Sequence, residues 1–159
     1  AVGLMFLACA ASPAAAELVG RASVIDGDTI ELHGQRIRLH GIDAPEAAQQ
    51  CRGDDGRPYP CGRIAAHVLA STLANSRPTR CEERDRDRYG RIVATCFRAD
   101  GKDAAAIMVQ AGHALDWPRY SSGAYAGDQK LAERTRLGMW QGTFIQPWEW
   151  RQGQRTEWA

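Results

Sequence analysis

Residues 18–42 read LVGRASVIDGDTIELHGQRIRLHGI, three apolar stretches separated by two tight turns. Leu18 to Ile25 is expected to form a first strand. Asp26-Gly27 breaks it, because Asp-Gly accepts the backbone angles of a two-residue hairpin turn. Asp28 to His33 then alternates, with Ile30 and Leu32 on one face, and Gly34 turns the chain again. Gln35 to Ile42 repeats the pattern: Ile37 and Leu39 face one way, and Arg36, Arg38 and His40 the other. Period-two alternation of this kind predicts half-buried strands joined by short turns.

Downstream, a polar loop is expected from Asp43 to Gly62. Residues 63–74 have helical spacing, with Ile64, Val68, Leu69 and Leu73 on one stripe and Asn75 as the stop. Thr79 to Glu83 and Arg91 to Arg98 form a second hairpin, and apolar residues on both faces of 91–98 make that strand central. Asp103 is placed to cap a helix ending at Gly112, and a last helix covers about 124–137, stopped by Gly138. Three strands, a helix, two strands and further helices predict a β-barrel with helices (α+β). The architecture expected is a five-stranded OB-fold core with about three α-helices.

The chain has 159 residues, and 20 basic against 19 acidic side chains leave a formal charge of +1. That length accommodates one domain with a real core and hardly two. There is no internal repeat, and the near-zero charge argues against a nucleic-acid binder held by bulk charge alone. The average hides a local excess, since residues 77–98 hold seven Arg against Glu82, Glu83, Asp85 and Asp87.

Val2 to Ala11 is a short apolar run followed by small residues, which is the grammar of a secretory signal with Ala14-Ala15-Ala16 as its cleavage site. The run is too short to span a bilayer. Residues 1–16 are therefore expected to be a signal-peptide remnant, 17–145 the folded domain, and 146–159 a Trp-rich C-terminal tail. Lipidation at Cys9 is the alternative reading of the leader. The mature chain keeps Cys51, Cys61, Cys81 and Cys96, an even set that reads as two disulfides of a secreted or periplasmic protein. Three connectivities are open. The midpoint of Cys81 and Cys96 falls at the turn between Arg88 and Tyr89, which would set those two opposite each other on adjacent strands. Cys51 and Cys61 would then close the Gly/Asp/Pro-rich loop. Zinc is disfavoured because the gaps lack close Cys pairs. His33, His40, His67 and His113 are scattered without ligand spacing. Trp140, Trp148, Trp150 and Trp158 are expected to pack back on the body, with Arg151 and Arg155 keeping the tail soluble.

Three segments carry chemistry. Asp28, Asp43 and Glu46 offer hard oxygen atoms and no soft ligand, which favours Ca²⁺ or Mg²⁺ over zinc. Arg38 and Arg91 offer planar, permanently charged forks suited to phosphate oxygens. Hard-metal ligands, a carboxylate to handle water and fixed cations are the parts that phosphodiester hydrolysis needs.

The order IDGDT (25–29), RLHGIDAPE (38–46) and DRYGR (87–91) resembles the staphylococcal-nuclease-like (thermonuclease) family over about residues 18 to 140. The resemblance implies an OB-fold and Ca²⁺-dependent cleavage of DNA and RNA phosphodiesters. By motif, Asp28 and Asp43 match the family's calcium carboxylates. Ala44 stands where the family usually has Thr contributing a backbone carbonyl. Glu46 matches the general base, and Arg38 and Arg91 match the phosphate-clamping arginines. Arg88 and Tyr89 match a Lys-Tyr pair beside the nucleotide's terminal phosphate. Tyr120 matches a nucleotide-stacking Tyr, and Asp26 stands behind the calcium ligands. The implied protein is a monomer that acts on DNA and RNA and has no membrane contact once the signal is removed. Two other readings are a catalytically inactive OB-fold nucleic-acid-binding module and a disulfide-stapled structural domain. The first predicts a lost acid or Arg, whereas Asp28, Arg38, Asp43, Glu46 and Arg91 are all present. The second predicts no effect of calcium on stability.

Overall fold

The computed structural model describes residues 16–156. The expected signal segment up to residue 15, with Cys9, and Trp158 of the tail lie outside them. The first expected strand is bent into two, β1 (Glu17–Gly20) and β2 (Ser23–Val24), parted at Arg21-Ala22. It is followed by β3 (Thr29–Leu32), β4 (Gln35–Leu39) and β5 (Ile42–Asp43). The loop beyond carries the short pair β6 (Cys51–Arg52) and β7 (Pro58–Tyr59) and leads into helix α1 (Cys61–Ala74). Strands β8 (Thr79–Arg86) and β9 (Ile92–Phe97), helix α2 (Ala104–Gln110) and strand β10 (Leu115–Asp116) come next. The chain ends in α3 (Pro118–Ser121), α4 (Ala126–Thr135), a 3-10 turn (Gly138–Gln141) and α5 (Pro147–Arg151).

The main sheet runs β1-β8-β9-β4-β3-β2. Neighbours are antiparallel except β4 and β9, which are parallel. β1 and β2 are consecutive in the chain yet pair on opposite edges of the sheet. The bent strand therefore joins the two edges, and the sheet curls into the five-stranded OB barrel expected, with helices packed around it. Ile30, Leu32, Ile37 and Leu39 fill its interior, together with Leu69 of α1 and Met108 and Val109 of α2. A smaller cluster gathers Cys51, Cys61, Leu115 and Met139 beneath Trp140, Phe144 and Trp148.

Both disulfides form as the spacing predicts, Cys51–Cys61 and Cys81–Cys96. Cys81 lies directly opposite Cys96 in the β8–β9 register. Asp103 caps α2, its carboxylate accepting from the main-chain N–H of Ala105 at 2.8 Å.

α1 differs from expectation in the face it buries. Cys61, Gly62, Ala65, Leu69 and Leu73 point inward, whereas Ile64 is 37% exposed. The helix start lies so close to the preceding loop that only small residues fit there. The short helices α3 and α5 add to the three expected. No helix of the described residues is long and apolar enough to cross a membrane.

Candidate functional site

The turn before β3, the end of β4 and the segment after β5 meet at one end of the barrel. Asp28, at the turn, accepts the main-chain N–H of Leu39 on its own carbonyl at 2.8 Å. Its carboxylate is buried: Oδ1 accepts from the Thr29 hydroxyl at 3.0 Å and from Arg38 at 3.2 Å, and Oδ2 accepts from the Ala44 N–H at 2.9 Å. Arg38 sits opposite Thr29 across the β3–β4 pair and sends its other nitrogen to Asp43 Oδ1 at 2.9 Å. Asp43 has no exposed surface. One guanidinium thus bridges two buried carboxylates through a charge-assisted hydrogen bond to each. Asp26 supports the turn by accepting the Asp28 N–H at 3.1 Å.

Two glycines let the Ala44–Glu46 loop approach. A β-carbon on Gly27 would lie 2.7 Å from Ala44 Cβ, and one on Gly62 would lie 1.8 Å from the Glu46 carbonyl oxygen. Ala44 is itself buried in the core, with its β-carbon against Gly27. Fully buried Gln49 fixes the loop from below. Its side-chain Oε1 accepts the Glu46 N–H at 3.2 Å, and its side-chain Nε2 donates to the Ile145 carbonyl at 2.7 Å.

Sequence reasoning placed Arg151 on a soluble tail, and the structure places it in the cluster. Helix α5 folds back so that Arg151 Nη1 and Nη2 donate to Asp43 Oδ1 and Oδ2 at 2.9 and 2.7 Å, and Nη1 also donates to Glu46 Oε1 at 2.8 Å. Trp117 supports both arginines: its ring centroid lies 5.5 Å from the Arg38 guanidinium carbon and 5.3 Å from that of Arg151. The same ring stacks on Trp148 of α5 at 6.1 Å, so Trp148 packs on the body as expected of the tail aromatics. Such cation–π contacts hold a guanidinium in place without removing its charge.

The electrostatics are those of crowded acids. Burial and the neighbouring charge of Asp28 push Asp26 up to about 6. Burial likewise raises Asp43 above the usual carboxylate range, against the pull of Arg151 and Arg38 and with the help of Asp28. Burial works against the charge of both arginines, but Asp28 and Asp43 hold Arg38, and Asp43 and Glu46 hold Arg151, above the ordinary guanidinium value. Asp28, Asp43 and Glu46 are hard oxygen donors, the chemistry that a hard divalent ion takes. Among the described residues no three His, Cys, Asp or Glu side chains form a metal cage.

The remaining expected residues stand apart from this cluster. Arg88, Tyr89 and Arg91 lie on the β8–β9 hairpin, where Tyr89 is 72% exposed with the Arg88 guanidinium 5.1 Å from its ring. Arg91 donates to Asp87 Oδ2 at 2.6 Å. Ile92 pairs with Ile37 and Val93 with Arg38 in the parallel register, so Arg91 immediately precedes the strand that lies beside β4 and its Arg38. Tyr120, on α3, meets Trp117 edge-on at 4.5 Å and so borders the cluster through that ring. Arg151, Gln49 and Trp117 are the site-forming residues that the motifs did not reveal. The only sequence signal near Arg151 is the PWEW run before it.

A family model described as staphylococcal nuclease homologue matches residues 36–142. The match takes in Arg38, Asp43, Ala44, Glu46, Arg88, Tyr89, Arg91 and Tyr120 and leaves Asp26, Asp28 and Arg151 outside. The succinoglycan biosynthesis protein ExoI of Rhizobium meliloti (strain 1021) is 49% identical over 127 residues, which cover 80% of this chain and 66% of that protein. An uncharacterized endonuclease of Escherichia coli is 34% identical over 143 residues, 86% of each chain. The micrococcal nuclease of Shigella flexneri is 31% identical over 160 residues, covering 90% of this chain and 86% of that one.

Proposed function

The chain belongs to the family of staphylococcal nuclease homologues, and from that membership and the carboxylate–arginine cluster we propose that it is an exported, Ca²⁺-dependent nuclease hydrolysing the phosphodiester bonds of DNA and RNA. The observation that carries the reading is the pair of buried carboxylates, Asp28 and Asp43, bridged by Arg38 with Glu46 alongside. Arg38 and Arg151 offset part of the negative charge of Asp28, Asp43 and Glu46, and the excess that remains supports a cation joining them.

Asp28, Asp43 and the Ala44 carbonyl would hold a Ca²⁺ ion, which would supply Lewis-acid chemistry toward a phosphate oxygen. Glu46 accepts a proton from the attacking water as the new P–O bond forms and one ester P–O bond breaks. Arg38 stands against the same carboxylates and offers N–H groups to the phosphate oxygens as their charge grows. Arg91 reaches the phosphate from the hairpin, where Asp87 steadies it. Arg88, Tyr89 and Tyr120 engage the flanking nucleotide, and Asp26 orients the turn that carries Asp28. The protein acts as a monomer. Export is supported by the two disulfides, which persist in oxidising compartments.

The test is cleavage of plasmid and single-stranded DNA by the oxidised protein in Ca²⁺ or EDTA, beside Glu46→Gln and Arg91→Ala. Cleavage should require Ca²⁺ and fall by orders of magnitude in both variants. A calcium-bound wild type that binds DNA without cutting it would establish the inactive binding module instead.

A further inference from the structure

Asp43 receives three charge-assisted bonds from two arginines. Its Oδ1 accepts from Arg38 Nη2 and Arg151 Nη1, both at 2.9 Å, which uses both lone pairs of that oxygen. Its Oδ2 accepts from Arg151 Nη2 at 2.7 Å. A divalent ion approaching Oδ1 must displace one of two donors already in place. An ion approaching Oδ2 meets the like charge of the same guanidinium. The first route requires Arg38 or Arg151 to give way, and the second requires Arg151 to do so.

The charges agree with the contacts. Among the described residues the carboxylates of Asp28, Asp43 and Glu46 meet two guanidinium groups, those of Arg38 and Arg151, and Asp26 adds a fourth acid beside Asp28. The cluster therefore keeps excess negative charge, and the charge that a divalent ion brings weakens the hold of Asp43 and Glu46 on Arg151. The mechanics agree as well. The Arg151 side chain is 34% exposed, against 16% for Arg38, and it ends a five-residue helix near the end of the described chain rather than a strand of the barrel. Of the two arginines it is the one free to move.

We infer that Arg151 is the resident counter-ion of the cation site: it neutralises Asp43 and Glu46 while no divalent ion is bound, and the ion enters by displacing it. Metal binding and the seating of helix α5 are therefore competing events. Trp148 of α5, stacked on Trp117, moves with Arg151, so entry of the ion also disturbs that stack. This rests on the reading of Asp43 as a cation ligand.

The experiment compares Ca²⁺ binding by calorimetry in wild type, Arg151→Gln, Arg151→Lys and Asp43→Asn, with tryptophan emission recorded through the same titrations. Arg151→Gln should bind Ca²⁺ about tenfold more tightly or better, since no charge-assisted bond has to break. Arg151→Lys, a point charge without the fork, should fall between it and wild type. Wild-type emission should change with the calorimetric midpoint, and the change should be largely absent in Arg151→Gln. Melting curves supply a readout independent of affinity fits. Arg151→Gln should melt lower than wild type in EDTA and gain more from Ca²⁺. If Arg151→Gln is too unstable in EDTA for calorimetry, the size of its Ca²⁺-induced rise, together with Arg151→Lys, decides the question. Equal or weaker Ca²⁺ binding in Arg151→Gln, with binding lost in Asp43→Asn, overturns the role of Arg151 alone. Ca²⁺ binding by none of the four, or undiminished binding in Asp43→Asn, overturns the metal site itself.

Discussion

Replacing Gly62 by Ala is expected to displace Glu46 without altering any chemical group of the site. Gly62 is the second residue of α1, and a β-carbon there would stand 1.8 Å from the Glu46 carbonyl oxygen and 2.7 Å from its carbon. Carbon and oxygen in contact across a fold sit about 3.3 Å apart, so helix or loop must yield by about 1.5 Å. The loop cannot simply swing away, because Gln49 ties it to Ile145 and Arg151 holds the Glu46 carboxylate. Overpacking of this size costs about 1–3 kcal/mol. The better helix propensity of Ala returns at most about 1 kcal/mol, and less in a first turn. A net loss of about 1–2 kcal/mol corresponds to a melting point lower by roughly 2–8 °C. A catalytic group misplaced by about 1 Å lowers the rate roughly a hundredfold. Gly127→Ala is the matched control: it is also the second residue of its helix, and nothing lies within 4 Å of its would-be β-carbon. That variant should melt at or slightly above wild type and cleave normally. The assay is a melting curve for each protein beside kcat and KM on a short oligonucleotide with Ca²⁺. Wild-type melting and wild-type kcat in Gly62→Ala would refute the claim that α1 presses on the Glu46 loop.

Two further outcomes follow from the barrel wall. Joint replacement of Cys81 and Cys96 by Ala opens a link with a sequence separation of 15 and should cost about 3 kcal/mol in urea unfolding; a loss below about 1 kcal/mol would mean that the β8–β9 pairing already confines the unfolded chain. Asp87 is partly desolvated, which alone would raise its pKa, yet hydrogen bonds from the Arg91 side chain and from the main-chain N–H groups of Arg91 and Tyr89 hold it below the usual carboxylate range. Its stabilising contribution is therefore complete above about pH 4 and disappears as pH falls through the lower, folded-state value. Asp87→Asn should melt below wild type at pH 7 and together with it near pH 2, and an equal deficit at both would show that the bonds, not the charge, matter.

What was legible in the sequence is what repeats locally. Ile30, Leu32, Ile37 and Leu39 alternate with polar residues because a barrel strand has one wet face, and that period survives any tertiary detail. The face of α1 was not legible, because Gly62 packs on the Glu46 loop, Cys61 is held by its disulfide and Ala65 faces Gly27, and such small side chains hardly register beside Ile64. Asp28, Arg38, Asp43 and Glu46 were legible because a hairpin and the loop after it hold them within one short stretch. Arg151 reaches Asp43 across 108 positions, and no local spacing encodes a contact of that kind. The sequence nevertheless carries an indirect sign of it. Asp26, Asp28, Asp43 and Glu46 lie close together with Arg38 as their only motif arginine, and a fold that gathers them needs positive charge from elsewhere. Motif reasoning assigned all of that demand to a metal ion. A guanidinium from the tail answers the same demand, so an excess of buried acid in a sequence calls for a search of every distant Arg as well as for an ion.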